Sequence, residues 1–111
     1  MKRYCLGLGL INDPLLIAAY EEVHRNVWPE IKASILASGI LAMEIYRVDN
    51  LLFMIMDTED TFSFAKKAEM DAANPKVQEW EDLMWTYQQA LPSAKPGEKW
   101  KLMDRIFEFY K

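Results

Sequence analysis

The amino-acid sequence predicts an α+β fold of β-α-β-β-α-β order, the ferredoxin-like pattern, with helices on one face of a four-stranded antiparallel sheet. Three observations carry that expectation. Four stretches alternate apolar residues with a period of two, and they fall at the two ends and in the middle of the chain. The stretches between them open on capping residues and run for several turns. Each helical stretch is also cut by an X-Pro pair, Trp28-Pro29 and Asn74-Pro75, which divides it in two.

Taken in order, Tyr4 to Ile11 sends Tyr4, Leu6, Leu8 and Leu10 to one side and Cys5, Gly7, Gly9 and Ile11 to the other. The paired glycines leave that second side bare, so a tightly packed helix or a ligand is expected to approach it. Asn12 or Asp13 caps a helix with Pro14 in its first turn, running to about Asn26. Trp28 breaks it, Pro29 starts the next helix, and Gly39 ends that one. Ile40–Val48 and Leu51–Asp57 form a hairpin around Asp49-Asn50. Asp60 or Thr61 caps a helix to about Ala73, and Asn74-Pro75 opens another that is expected to reach Leu91. Pro92 to Gly97 is a loop. Leu102 to Tyr110 alternates again and is expected to close the sheet.

Leu51, Phe53 and Ile55 oppose Leu52, Met54 and Met56, so the hairpin is apolar on both faces. Helices can cover only one of them. A second copy is the expected cover for the other, giving a homodimer through the sheet.

At 111 residues the chain is expected to be one domain over 1–111, too short for a second core. A net charge of −4 with scattered basic residues argues against nucleic acid. No apolar run approaches the roughly 18 residues of a membrane span. Asn12-Asp13-Pro14 interrupts the N-terminal apolar run too early for a signal peptide, so the protein is expected in the cytoplasm. Cys5 is the sole cysteine and reads as packing. With one Cys and one His, no metal site of the usual spacing is expected. Gly7-Leu8-Gly9 lacks the third glycine of a dinucleotide fingerprint and the Lys-Ser/Thr of a phosphate loop. The abundant Trp, Tyr, Phe and Met suit a core, an oligomer interface and a pocket for an amphipathic ligand such as a sugar.

Tyr20 and His24 lie four apart, hence one turn apart on one helix face, along the apolar stripe rather than beside Glu21, Glu22 and Arg25. Histidine side chains ordinarily titrate near about 6.5, which suits proton transfer at neutral pH. Spacing alone favours a structural role for His24 and does not overturn it.

The run Tyr20-Glu21-Glu22-Val23-His24-Arg25-Asn26-Val27-Trp28-Pro29-Glu30 resembles the signature of the L-rhamnose mutarotase family, Y-x-x-x-H-x-x-x-W-P-E. The likeness continues through Gly39, Ile45-Tyr46, Asn50 to Phe53, Trp80 and the stretch from Met84 to Pro92. It implies a dimeric ferredoxin-like domain of the dimeric α/β-barrel type. It further implies an isomerase that interconverts the α and β anomers of a sugar without metal or cofactor. On the same ground His24 is the acid/base residue and Tyr20 contacts the sugar. The proton-transfer partner of His24 is left open among Tyr20, a water and an acid brought in by folding.

Two positions depart from the rhamnose pattern. Met43 stands where those enzymes carry a substrate-contacting Tyr, and Trp80-Glu81 where they carry Trp-Trp. Trp80 and Glu81, with Met43, are therefore candidate substrate contacts. A carboxylate can accept hydrogen bonds from adjacent sugar hydroxyls. The Trp-Glu version and its following Ala-Lys-Pro-Gly-Glu-Lys-Trp loop resemble family members associated with fucose, which implies a 6-deoxyhexose other than rhamnose, L-fucose first. Glu44 and Asp57 are lesser candidates to face the pocket, since strand-end acids usually face water; Glu98-Lys99 and Lys66-Lys67 read as solvated charge, and Trp28 as a packing anchor. The rival readings are a monooxygenase of the same fold and a non-catalytic ligand-binding module.

Overall fold

The computed structural model describes residues 1–111. The order is β1 (Lys2–Leu10), α1 (Pro14–Val23), a 3₁₀ turn (His24–Asn26), α2 (Pro29–Ala37), β2 (Ile40–Val48), β3 (Leu51–Thr58), α3 (Phe64–Ala72), α4 (Pro75–Trp85), β4 (Gln88–Gln89) and β5 (Lys101–Leu102). The antiparallel sheet runs β2-β3-β1-β4, with β5 also on β1. This is the ferredoxin-like arrangement expected from the sequence.

Local chemistry sets most boundaries. Asp13 caps α1 by accepting from the Leu15 and Leu16 amides, and Pro14 supplies the first helical φ. Asn74 does the same for α4 through Lys76 and Val77. Gly39 ends α2 with φ +94°, a conformation that other residues rarely adopt. Asp49 turns the hairpin with φ 52°.

Strand register decides what the helices cover. Leu6, Leu8 and Leu10 of β1 face inward with Leu52, Met54 and Met56 of β3. Tyr20, Ile31, Val77, Trp80 and Met84 pack on one part of this layer, and Ile40 and Phe62 on the other. Leu51, Phe53, Ile55, Tyr46 and Val48 lie on the far face, where Leu51, Tyr46 and Val48 are exposed. No helix is long and apolar enough to cross a membrane.

Four expectations are corrected. Ser63, not Asp60 or Thr61, caps α3, because Phe62 must first turn into the core. The second long helical stretch stops at Trp85 rather than Leu91, since residues 88–89 leave it to pair with β1. The bare side of Gly7 and Gly9 is approached by β4 and by the chain around Leu91 and Met103 rather than by a helix. A Cβ at Gly9 would lie 2.7 Å from the Gln89 carbonyl oxygen, and one at Gly7 would meet the Met103 side chain. The closing strand shrinks to Lys101–Leu102: the Met103 amide still bonds the Cys5 carbonyl, and residues 104–111 pair with no strand of this chain. Ile106, Phe107, Phe109 and Tyr110 are left 76–96% exposed.

Candidate active site

Between α1, α2, α4 and the inner sheet face lies a cavity of about 310 Å³, at the small end for a ligand pocket. His24, Tyr20, Met43, Trp80 and Glu81, the five residues singled out from the sequence, all line it. Met43 comes from β2 and extends an apolar wall with Ile45, Met54 and Met56. Glu44 and Asp57 do not line it: Glu44 pairs with Tyr46, and Asp57 with Arg3 across β1 and β3. Trp28 packs edge-on against Trp80 at 5.1 Å and is likewise outside the lining.

His24 sits where α1 tightens into the 3₁₀ turn, half-buried. Its Nδ1 lies 2.7 Å from the Tyr20 backbone carbonyl. A carbonyl oxygen can only accept, so Nδ1 carries the proton and the lone pair of the neutral ring belongs to Nε2. The imidazole is also held between two aromatic rings, Tyr20 at 4.3 Å and Trp80 at 5.7 Å between centroids. The tautomer is thus set by the α1 backbone, and the ring orientation by Tyr20 of α1 together with Trp80 of α4.

Tyr20 is buried, and its hydroxyl oxygen accepts from Gln88 Nε2 at 3.4 Å. Burial pushes its phenol up to about 12. The Gln88 hydrogen bond pulls the other way, while the Glu81 carboxylate adds to the rise. Tyr20 therefore stays a neutral O–H whose proton is not spent on Gln88.

Four lining residues escaped the reading of the sequence. Lys99 is folded back to pair with Glu81 and lies over the Trp85 ring, with its side chain only 11% exposed. Lys67 pairs with Asp71 one helical turn away, and both are half-buried at the cavity. The two lysines are not solvated charge, which corrects the earlier expectation. Gln88 is 5% exposed and faces the cavity from β4. The four-residue spacing of Lys67 and Asp71 was visible in the sequence. Gln88 was hidden by extending the helix through it.

A family model described as L-rhamnose mutarotase matches residues 3–109. An L-fucose mutarotase of Xanthomonas campestris pv. campestris is 47% identical over 109 residues, 96% of this chain and 87% of that protein. An L-rhamnose mutarotase of Bacteroides thetaiotaomicron is 32% identical over 86% of this chain and 88% of that one. The crystal structure of an L-rhamnose mutarotase from Formosa agariphila superposes with a TM-score of 0.73 at 21% identity, covering 99% of this chain and all of that one. Sequence likeness along almost the whole chain thus joins the fold and the His24–Tyr20 cavity, and the chain belongs to the L-rhamnose mutarotase family.

Proposed function

We propose that this protein is a sugar mutarotase, an isomerase that opens and recloses the ring of a 6-deoxyhexose, with L-fucose as its preferred sugar. The observation that carries the reading is the His24–Tyr20 pair. One residue presents Nε2 as the single ring nitrogen that its backbone bond leaves free, the other a buried hydroxyl, and both line the same cavity of about 310 Å³.

In ring opening, His24 Nε2 takes the proton of the anomeric hydroxyl. The C1–O5 bond breaks as the imidazolium passes that proton to O5, which the neutral Tyr20 hydroxyl steadies by a hydrogen bond, leaving the open aldehyde. After rotation about C1–C2, His24 takes the proton of the O5 hydroxyl as it attacks the other face of the carbonyl. His24 then donates to the new anomeric oxygen, so both residues end as they began. The apolar walls exclude water and strengthen each transfer.

Preference for fucose rests on Met43 and Glu81 at family contact positions and on the 47% identity to a relative named for that sugar, against 32% to one named for rhamnose. Saturation-transfer NMR of anomer exchange tests both levels. L-fucose exchange is expected to be accelerated more than L-rhamnose exchange. His24→Ala is expected to lose about 10²-fold or more of the acceleration. Faster rhamnose exchange would sink the fucose assignment, and no acceleration of either sugar would sink the mutarotase.

The same reading takes the working unit to be a homodimer in the cytoplasm. Its support is the far sheet face, where Tyr46, Val48, Leu51, Phe53, Leu91 and Met103 line an apolar groove, together with the uncovered apolar residues of 104–111 beside it.

A further inference from the structure

Two buried side-chain polar atoms in the molecule have no hydrogen-bond partner, Gln88 Oε1 and Asp71 Oδ1, and both belong to residues lining the same cavity. Leaving a buried acceptor unpaired costs folding free energy, and a hydroxyl brought into the cavity against these two residues would relieve it. We propose that Gln88 and Asp71 are the two hydroxyl-accepting anchors that fix the sugar in the cavity and select its configuration. The inference rests on the mutarotase reading and extends it to the determinants of substrate choice.

Each acceptor is held from behind. Gln88 stands opposite Leu10 in the β1–β4 register, so its side chain shares Leu10's inward face. One of its two Nε2 hydrogens goes to the Tyr20 oxygen, which turns the partnerless Oε1 to the other side of the amide. Asp71 Oδ2 is engaged by Lys67 one turn earlier on α3, leaving only Oδ1. Both free atoms accept and cannot donate, the carboxylate more strongly. A ring ether or a carbonyl satisfies neither, whereas a hydroxyl satisfies either.

One anchor sits on a strand and the other on a helix, so their separation is set by the fold rather than by flexible side chains. L-Fucose and L-rhamnose differ in configuration only at C2 and C4. Two fixed acceptors, each demanding an O–H from a given direction, discriminate such isomers better than apolar contact can.

The test measures binding by tryptophan fluorescence, reporting through Trp80, and anomer exchange by NMR in parallel. The ligands are L-fucose and its 2-, 3- and 4-deoxy derivatives, or the rhamnose set if rhamnose proves the faster sugar. The proteins are wild type, Gln88→Met and Asp71→Asn. Asp71→Asn places its oxygen on Lys67 and turns an N–H toward the cavity.

Wild type is expected to lose roughly tenfold or more in affinity for the derivatives lacking an anchored hydroxyl. Each variant should weaken the parent sugar comparably, mainly in KM, and become indifferent to the loss of one hydroxyl, a different one for each variant. Gln88→Glu, which keeps the acceptor, should retain the wild-type pattern and covers the case in which Gln88→Met fails to fold. If wild type binds every deoxy sugar as well as the parent, or both variants keep every deoxy penalty, the anchors are overturned. If the binding pattern holds but no exchange is accelerated, the anchors stand and the mutarotase reading falls.

Discussion

Tyr20 joins three roles in one side chain: core packing, a ring against His24, and a hydroxyl at the cavity. Its burial has a consequence for stability that can be signed. The phenol rises from 10.0 to about 12 on folding, so between those values the unfolded chain has lost a proton that the folded chain keeps. The unfolded state binds fewer protons there, and stability falls as pH rises. Below pH 10 this contribution is undiminished. The expected loss approaches tenfold in the folding equilibrium per pH unit. Urea midpoints at pH 9 and 11.5 check it: wild type should fall more steeply than Tyr20→Phe, and equal slopes would refute the assignment.

At the scale of elements, the site depends on where α4 ends. Helix periodicity carried through residues 86–91 puts Gln88 on a helix flank, yet β4 leaves the helix at Thr86 and lies along β1. What permits this is Gly9, whose missing side chain lets the Gln89 carbonyl come within 2.7 Å of the Cβ position. A methyl group there meets backbone that cannot swing aside. Gly9→Ala is expected to cost roughly 1–3 kcal/mol and to slow anomer exchange by displacing Gln88. Gly7→Ala meets only the flexible end of Met103 and should leave exchange near wild type. Thermal melts with the same NMR assay compare the two, and equal effects would show that β4 does not position the site.

For the whole molecule, the exposed far face and the segment 104–111 pose one problem. Ile106, Phe107, Phe109 and Tyr110 lie in water in the single chain, beside an apolar groove that no helix covers. A second copy would cover both. Light scattering is expected to give twice the chain mass for wild type and a monomer for Phe107→Ser/Phe109→Ser, with anomer exchange reduced in the variant. A wild-type monomer would remove the dimer.

The sequence by itself determined the elements up to the start of α4, because strand alternation, the caps at Asp13 and Asn74 and the breaks at Trp28 and Asn74-Pro75 are local chemistry. It also set Tyr20 and His24 on one face, since a four-residue spacing does so before any tertiary contact forms, while their roles came from the family signature. Alternation at 102–110 showed only that the segment could be a strand, and an edge to pair with is a property of the assembled sheet. Only the tertiary structure decided that Lys99 folds back onto Glu81, that Lys67 and Asp71 face inward, and that Gln88 meets Tyr20 across 68 residues of chain. Such pairings depend on which distant surfaces packing brings together, and no local pattern encodes them.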